Sequence, residues 1–159
     1  MQLRSLFPPV GPALRHRSRA VVLLVAAAAS LGATAPGVDV TATVTGLRSR
    51  DGQVLACLTT NPRQFPDCRG DPLAHKRAVP ARLAATIDFG EVAAGDYAIS
   101  LLHDENGNGK ADMAVMIPRE GFGFSRDAPA RFGPPRFASA VFPVKDEPVR
   151  QAIRMRYIF

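Results

Sequence analysis

No G-x-S-x-G, H-E-x-x-H, P-loop or dinucleotide-binding glycine pattern occurs in the 159 residues. Each absence lowers the case for one kind of enzyme: a nucleophile elbow, a zinc-activated water, a phosphate cradle, a nicotinamide or flavin site. Cysteine is scarce. Cys57 and Cys68 stand alone, with no C-x-x-C spacing and no histidine cluster beside them. A metal pair or two free thiols are the rival readings, but in an oxidising compartment such a pair reads as a disulfide. Closing a separation of 11 residues stabilises by roughly 2–3 kcal/mol in the chain-entropy model.

Acids are missing from residues 1–35, which carry Arg4, Arg15, Arg17 and Arg19. An apolar run follows, Ala20 to Ala29, and then small residues. A basic start, a short apolar stretch and a small-residue exit describe a secretory signal peptide. The run is short of the roughly 20 apolar residues of a membrane span, and an uncleaved anchor is the alternative. Cleavage after Ser30, Ala33 or Ala35 fits, with Pro36 disfavouring the last. No arginine pair occurs within Arg15–Arg19, which points to the general export route. No cysteine ends the run, which argues against a lipid-modified N-terminus. The division expected is a signal over 1–35 and one domain over 36–159. The destination is the periplasm or the extracellular space, with no stable membrane span after cleavage.

Removing that segment also removes most of the charge. The chain carries 20 Lys+Arg against 14 Asp+Glu, a net of +6, and residues 1–35 hold 4 of the bases, leaving 16 against 14, a net of +2. Bases and acids are interspersed from Arg48 to Arg156, so no basic footprint for nucleic acid survives export. The remaining chain of about 124 residues is long enough to bury one core.

Also missing are internal repeats and any amphipathic helix of three turns. Strand signals fill the chain instead. Val38–Leu47 alternates, with Val38, Val40, Ala42 and Val44 on one face, and Gln53–Thr59 reads as its hairpin partner across Arg50–Gly52. Residues 60–74 hold three prolines and Gly70 and read as a loop. Arg82–Phe89, Asp96–His103, Met113–Ile117, Ser139–Val144 and Val149–Ile158 supply further strands, with turns at Gly90–Gly95. Pro143 places the Ser139–Val144 strand near an edge or bulge. Ile153, Met155, Tyr157 and Phe159 share a face. The fold class this predicts is all-β, a single antiparallel β-sandwich of about seven strands.

His103-Asp-Glu-Asn-Gly-Asn-Gly-Lys-Ala-Asp112 is the segment with chemistry. Asp104, Asn106 and Asn108 alternate, Gly109 follows, and Asp112 completes the first nine positions of a calcium loop, with Lys110 serving through its carbonyl. A loop wound around an ion turns alternate side chains inward, and glycine permits the bend. Val115 stands where the bidentate glutamate would close the loop, and Glu120 is the nearest later carboxylate. Binding is therefore expected to be weak, with a dissociation constant on the order of 0.1–1 mM. The metal-free reading uses the same residues: Asn106-Gly107 and Asn108-Gly109 are turn dipeptides whose side chains bond the loop's own backbone. His103 beside Asp104, with Glu105 and Glu120 near in sequence, suggests general acid–base work in a small hydrolase or lyase. Against it, strand neighbours point to opposite faces, and a structural histidine accounts for the residue without a reaction.

Pro118–Asp127 sets Phe122 and Phe124 between glycines, followed by Arg126, and Phe132 and Phe137 come soon after. Phe122, Phe124, Arg126 and Phe132 form either an aromatic surface for a saccharide or peptide, or an apolar cap over one end of the sandwich.

Glu91–Ala98, His103–Asp112, Ile117–Ser125 and Phe132–Phe137 together resemble the signature of an uncharacterised bacterial family, domain of unknown function 2141. The resemblance covers most of residues 38–159 and implies an exported bacterial protein with no assigned activity. The Gly95-Asp-Tyr97 strand entry also resembles immunoglobulin-like sandwiches of the transthyretin and carboxypeptidase-regulatory type, over one turn and one strand. The expectation is a non-enzymatic binding module for an extracytoplasmic saccharide, peptide or envelope protein. A purely structural envelope protein is the third reading.

Overall fold

The computed structural model of the protein describes residues 37–114, 117–130 and 133–158. The expected signal segment lies outside them, as do Phe132 and Phe159. The first strand, β1 (Val38–Thr45), buries Val38, Val40, Ala42 and Val44 and leaves its threonines and Asp39 outward. The alternation seen in the sequence is thus the pleat of a half-buried strand. β2 (Gln53–Thr59) follows, then β3 (His75–Pro80), a 3-10 turn (Ala81–Leu83), β4 (Thr86–Val92) and the long β5 (Gly95–Asp104). After β5 come β6 (Met113–Ala114), β7 (Ile117–Pro118), β8 (Gly121–Phe124), one helical turn α1 (Phe137–Ala140), β9 (Phe142–Val144) and β10 (Val149–Arg154).

Two sheets result. One has the order β10-β1-β4. The other runs β3-β2-β5-β8, with β9 also on β5. β8 and β9 share one edge of β5 in succession, β9 along Gly95–Tyr97 and β8 along Ser100–His103. β6 and β7 make a separate small hairpin. Val40, Ala42, Val44, Ile87, Phe89 and Ile153 from the first sheet join Val54, Leu58, Tyr97, Ile99, Leu101 and Val144 from the second in one apolar core.

The mostly-β expectation holds, with corrections of detail. Among the described residues eight strands build the two sheets, against the about seven expected in one sandwich, and they are not all antiparallel: β1 and β10 run parallel, with Val40 opposite Val149 and Val44 opposite Ile153. Parallel neighbours need a long connection, and here the rest of the domain supplies it. β3 lies just past the expected 60–74 loop, in residues that no expected element covers, because His75-Lys-Arg-Ala78 lacks alternation; it is an exposed edge strand. The Arg82–Phe89 strand begins only at Thr86, and β4 then runs through the expected turn at Gly90. A bulge accounts for this. Val40 faces Gly90 while Thr41 faces Asp88, so Phe89 is the extra residue, and Gly90 takes φ +79°. The extra residue shifts the phase so that Ile87, Phe89 and Val92 all face the core. Ser139–Val144 is the end of α1 followed by β9, whose Pro143 lies at an edge, as its missing N–H requires.

β5 is covered on both faces. Tyr97, Ile99, Leu101 and His103 point into the main core, and Ala98 belongs to a second cluster with Phe65, Phe124, Ala128 and Ala140 on the outer face. The 60–74 segment covers that face. It is tied down by the Cys57–Cys68 disulfide, with Cα atoms 6.4 Å apart. The Ser100 hydroxyl also donates to the Pro66 carbonyl at 2.6 Å.

Candidate functional site

The end of β5 delivers His103 and Asp104 to the same place from opposite faces of one strand. His103 is fully buried on the core side. Its Nε2 lies 3.0 Å from the Asp51 carbonyl, which can only accept, so Nε2 carries the hydrogen. In the neutral ring Nδ1 then accepts the Tyr157 hydroxyl, 2.7 Å away. Tyr157 also accepts the Arg48 backbone N–H at 3.2 Å, and the Arg48 guanidinium stacks 4.5 Å above its ring. Arg48 pairs with Glu105 and donates to the Arg119 carbonyl at 3.1 Å. The Arg48 guanidinium holds the Glu105 carboxyl below its ordinary range, against the opposing effect of burial. Both His103 nitrogens are therefore occupied within the fold.

Asp104 is equally buried, on the outer side. Oδ1 accepts the Asn108 N–H at 3.0 Å, and Oδ2 accepts the Gly109 N–H at 2.8 Å and the Gln53 side-chain amide at 2.9 Å. These bonds wind residues 104–109 around the carboxylate, with Gly107 and Gly109 at φ +72° and +77°. Once wound, the loop brings Asn106, Asn108 and Asp112 together. The Asn106 amide donates to Asp112 Oδ2 at 2.6 Å, and the Asn108 amide donates to Asp112 Oδ1 at 2.9 Å. Asn106 Oδ1 accepts the Asn108 N–H at 3.1 Å, and Asn108 Oδ1 accepts the Lys110 N–H at 3.0 Å. The Asn108 and Asn106 amides hold the Asp112 carboxyl below its ordinary range. Lys110 is exposed. Among the described residues, no three His, Cys, Asp or Glu side chains are already grouped as metal ligands; the two asparagine amides stand between the carboxylates.

Glu120 completes the site from the far side of the β6–β7 hairpin. It is buried, and Oε2 accepts the Asp112 N–H at 3.1 Å. Oε1 is buried without a hydrogen-bond partner. Burial pushes its carboxyl above the ordinary range, the Asp112 N–H opposes this, and Asp104, Asp112 and Glu105 push it further up.

The aromatic segment separates into two faces. Gly121 and Gly123 point inward, where an added Cβ at Gly121 would lie 2.2 Å from the Tyr157 ring and one at Gly123 would lie 2.7 Å from Ile153. Phe122 and Phe124 point outward, opposite Leu102 and Ser100. Phe124 is buried and meets Phe65 edge-on at 5.9 Å, while Phe122 is half-buried against it. Arg126 is exposed, with φ +56° and Nη1 donating to the Val141 carbonyl at 3.2 Å. Phe132 lies outside the described residues.

Sequence reading placed the Asx loop and named Glu120, but it missed Gln53, Arg48 and Tyr157. No local pattern marks them: Tyr157 lies 54 positions from His103, and only the fold joins them.

These features define a mostly β protein of two sheets, with an acid- and amide-rich loop at the end of its central strand. Residues 42–152 match the family described as "Uncharacterized protein conserved in bacteria (DUF2141)", and the chain belongs to that family. No curated protein and no solved structure matches it.

Proposed function

We propose that this protein is an exported, non-enzymatic β-sandwich binding module, immunoglobulin- or transthyretin-like in build, whose 104–112 loop is organised by a weakly held calcium ion. The observation that carries the reading is the convergence of Asn106, Asn108 and Asp112 over a loop wound on buried Asp104. Asp104, Asn106, Asn108, Asp112 and the Lys110 carbonyl would supply oxygens of the kind calcium takes. The loop, the half-exposed Phe122 and Arg126 would form the working surface for a saccharide, peptide or envelope protein. Phe124 would support that surface from below. The Cys57–Cys68 disulfide favours an extracytoplasmic setting. The occupied nitrogens of His103 favour a binding module over a hydrolase or lyase.

Thermal unfolding of the purified, oxidised protein tests this, first in chelator and then with calcium, magnesium serving as control. Calcium at five to ten times its dissociation constant stabilises by roughly 1–1.4 kcal/mol through mass action, a shift of several degrees in Tm for a domain of this size. No calcium-specific shift would return the loop to a metal-free turn and favour a structural envelope protein.

A further inference from the structure

We infer that Glu120 is the carboxylate that closes the calcium site, taking the place of the glutamate that the loop's own twelfth position lacks. This rests on the calcium reading above and adds to it a residue outside the 104–112 loop. A metal-free turn accounts for Asp104, whose two oxygens take three hydrogen bonds, and for Asp112, which takes two amides. It does not account for Glu120. That residue is only 4% exposed, its Oε1 has no partner, and Oε2 is held at the loop by the Asp112 N–H. The ion pairs among the described residues join Arg48 to Glu105, Arg69 to Asp67 and Arg156 to Asp127, and none includes Glu120. A buried carboxylate oxygen without a donor or cation is costly, and the N–H that holds Oε2 belongs to Asp112, itself a carboxylate of the loop. A hard divalent cation resolves all of this at once.

The space beside the loop is open. Added Cβ atoms at Gly107 and Gly109 would meet nothing within 4 Å. Turning the Asn106 and Asn108 amides would replace two N–H donors at Asp112 with an ion and present their oxygens to it. Three carboxylates, two amide oxygens and the Lys110 carbonyl then fall within the six to eight oxygens calcium takes.

Calorimetric titration with calcium separates this inference from its parent. In wild type, calcium binds. In Glu120→Gln affinity falls at least tenfold, and in Glu120→Asp, one methylene short, it also falls. Glu147→Gln makes the same charge change on the exposed surface and binds as wild type does. A melt in chelator shows whether Glu120→Gln stays folded, with Tm at or above the wild-type value. Calcium binding to wild type and Glu120→Gln with equal affinity overturns the closing role and leaves the calcium reading standing. No calcium binding to wild type overturns both.

Discussion

His103 shows how one residue's role depends on what the fold puts around it. The ring is fully buried, and its two nitrogens are held by a carbonyl of the Arg50–Gly52 turn and by the Tyr157 hydroxyl. Tyr157→Phe keeps the ring stacked under Arg48 but leaves His103 Nδ1 buried without a partner, which costs about 1–3 kcal/mol. Urea unfolding is expected to show a lower midpoint with an unchanged slope. An unchanged midpoint would mean that the histidine finds another partner. At this scale the sequence was informative about the loop and silent about its base. Asp104, Asn106, Asn108 and Asp112 are legible because their alternation is local. Tyr157, Arg48 and Gln53 reach the site only through strand pairing. Glu120 was visible as a nearby carboxylate, but its buried, partnerless oxygen depends on how the β6–β7 hairpin returns.

At the scale of elements, β1, β2 and β5 were foreseen from their alternation; β1 buries one alternate set of side chains, while β2 and β5 are also buried on their second face over much of their length. β3 was missed because an exposed edge strand has no apolar face to alternate, and the extent of β4 was missed because Gly90 marks a bulge as readily as a turn. The 60–74 cover is an element of another kind, a loop held by a few bonds. Besides the disulfide, Thr59 donates to buried Asp71, which also accepts the Leu73 N–H at 3.0 Å. The Thr59 hydroxyl foremost, then the Leu73 N–H and Lys76, hold the Asp71 carboxyl below its ordinary range, although burial opposes them. With the folded value depressed, the unfolded chain binds the proton more readily. The stabilisation is therefore complete above the ordinary aspartate range near about pH 4 and is lost as pH falls below it. Thr59→Val removes the largest cause. Stability measured from neutral pH down to pH ~3 is expected to fall less steeply in the variant, from a lower starting value. A parallel pair of curves would assign the acid loss to other carboxylates. Reducing the disulfide should lower stability by roughly 2–3 kcal/mol, seen as a drop in Tm.

At the scale of the molecule, two sheets that share one core leave open edges on both sides, and each side is closed differently. On one side β8 pairs with the chain beyond β10: Phe122 and Arg156 exchange both backbone hydrogen bonds, at 2.9 and 2.8 Å. Gly121 and Gly123 permit that approach, since any side chain there would strike Tyr157 or Ile153. On the other side, β3 of the five-stranded sheet faces β4 of the three-stranded one, and a side chain spans the gap. Arg77, on β3, donates Nε to the Asp88 carbonyl at 3.0 Å and a terminal nitrogen to the Phe89 carbonyl. These are carbonyls on the outer edge of β4, at the bulge, where a second chain would otherwise pair. The arginine thus ties the sheets together and shields an edge that would template association. Arg77→Met keeps much of the apolar stem and removes the donors. It is expected to cost about 1–2 kcal/mol, the lower part of the range for hydrogen bonds from a charged group because the guanidinium is partly in water. It is also expected to make the protein self-associate with rising concentration. Unfolding curves and sedimentation at several concentrations read the two effects separately. A variant as stable and as dispersed as wild type would mean that the bulge at Phe89–Gly90 alone keeps the β4 edge from pairing.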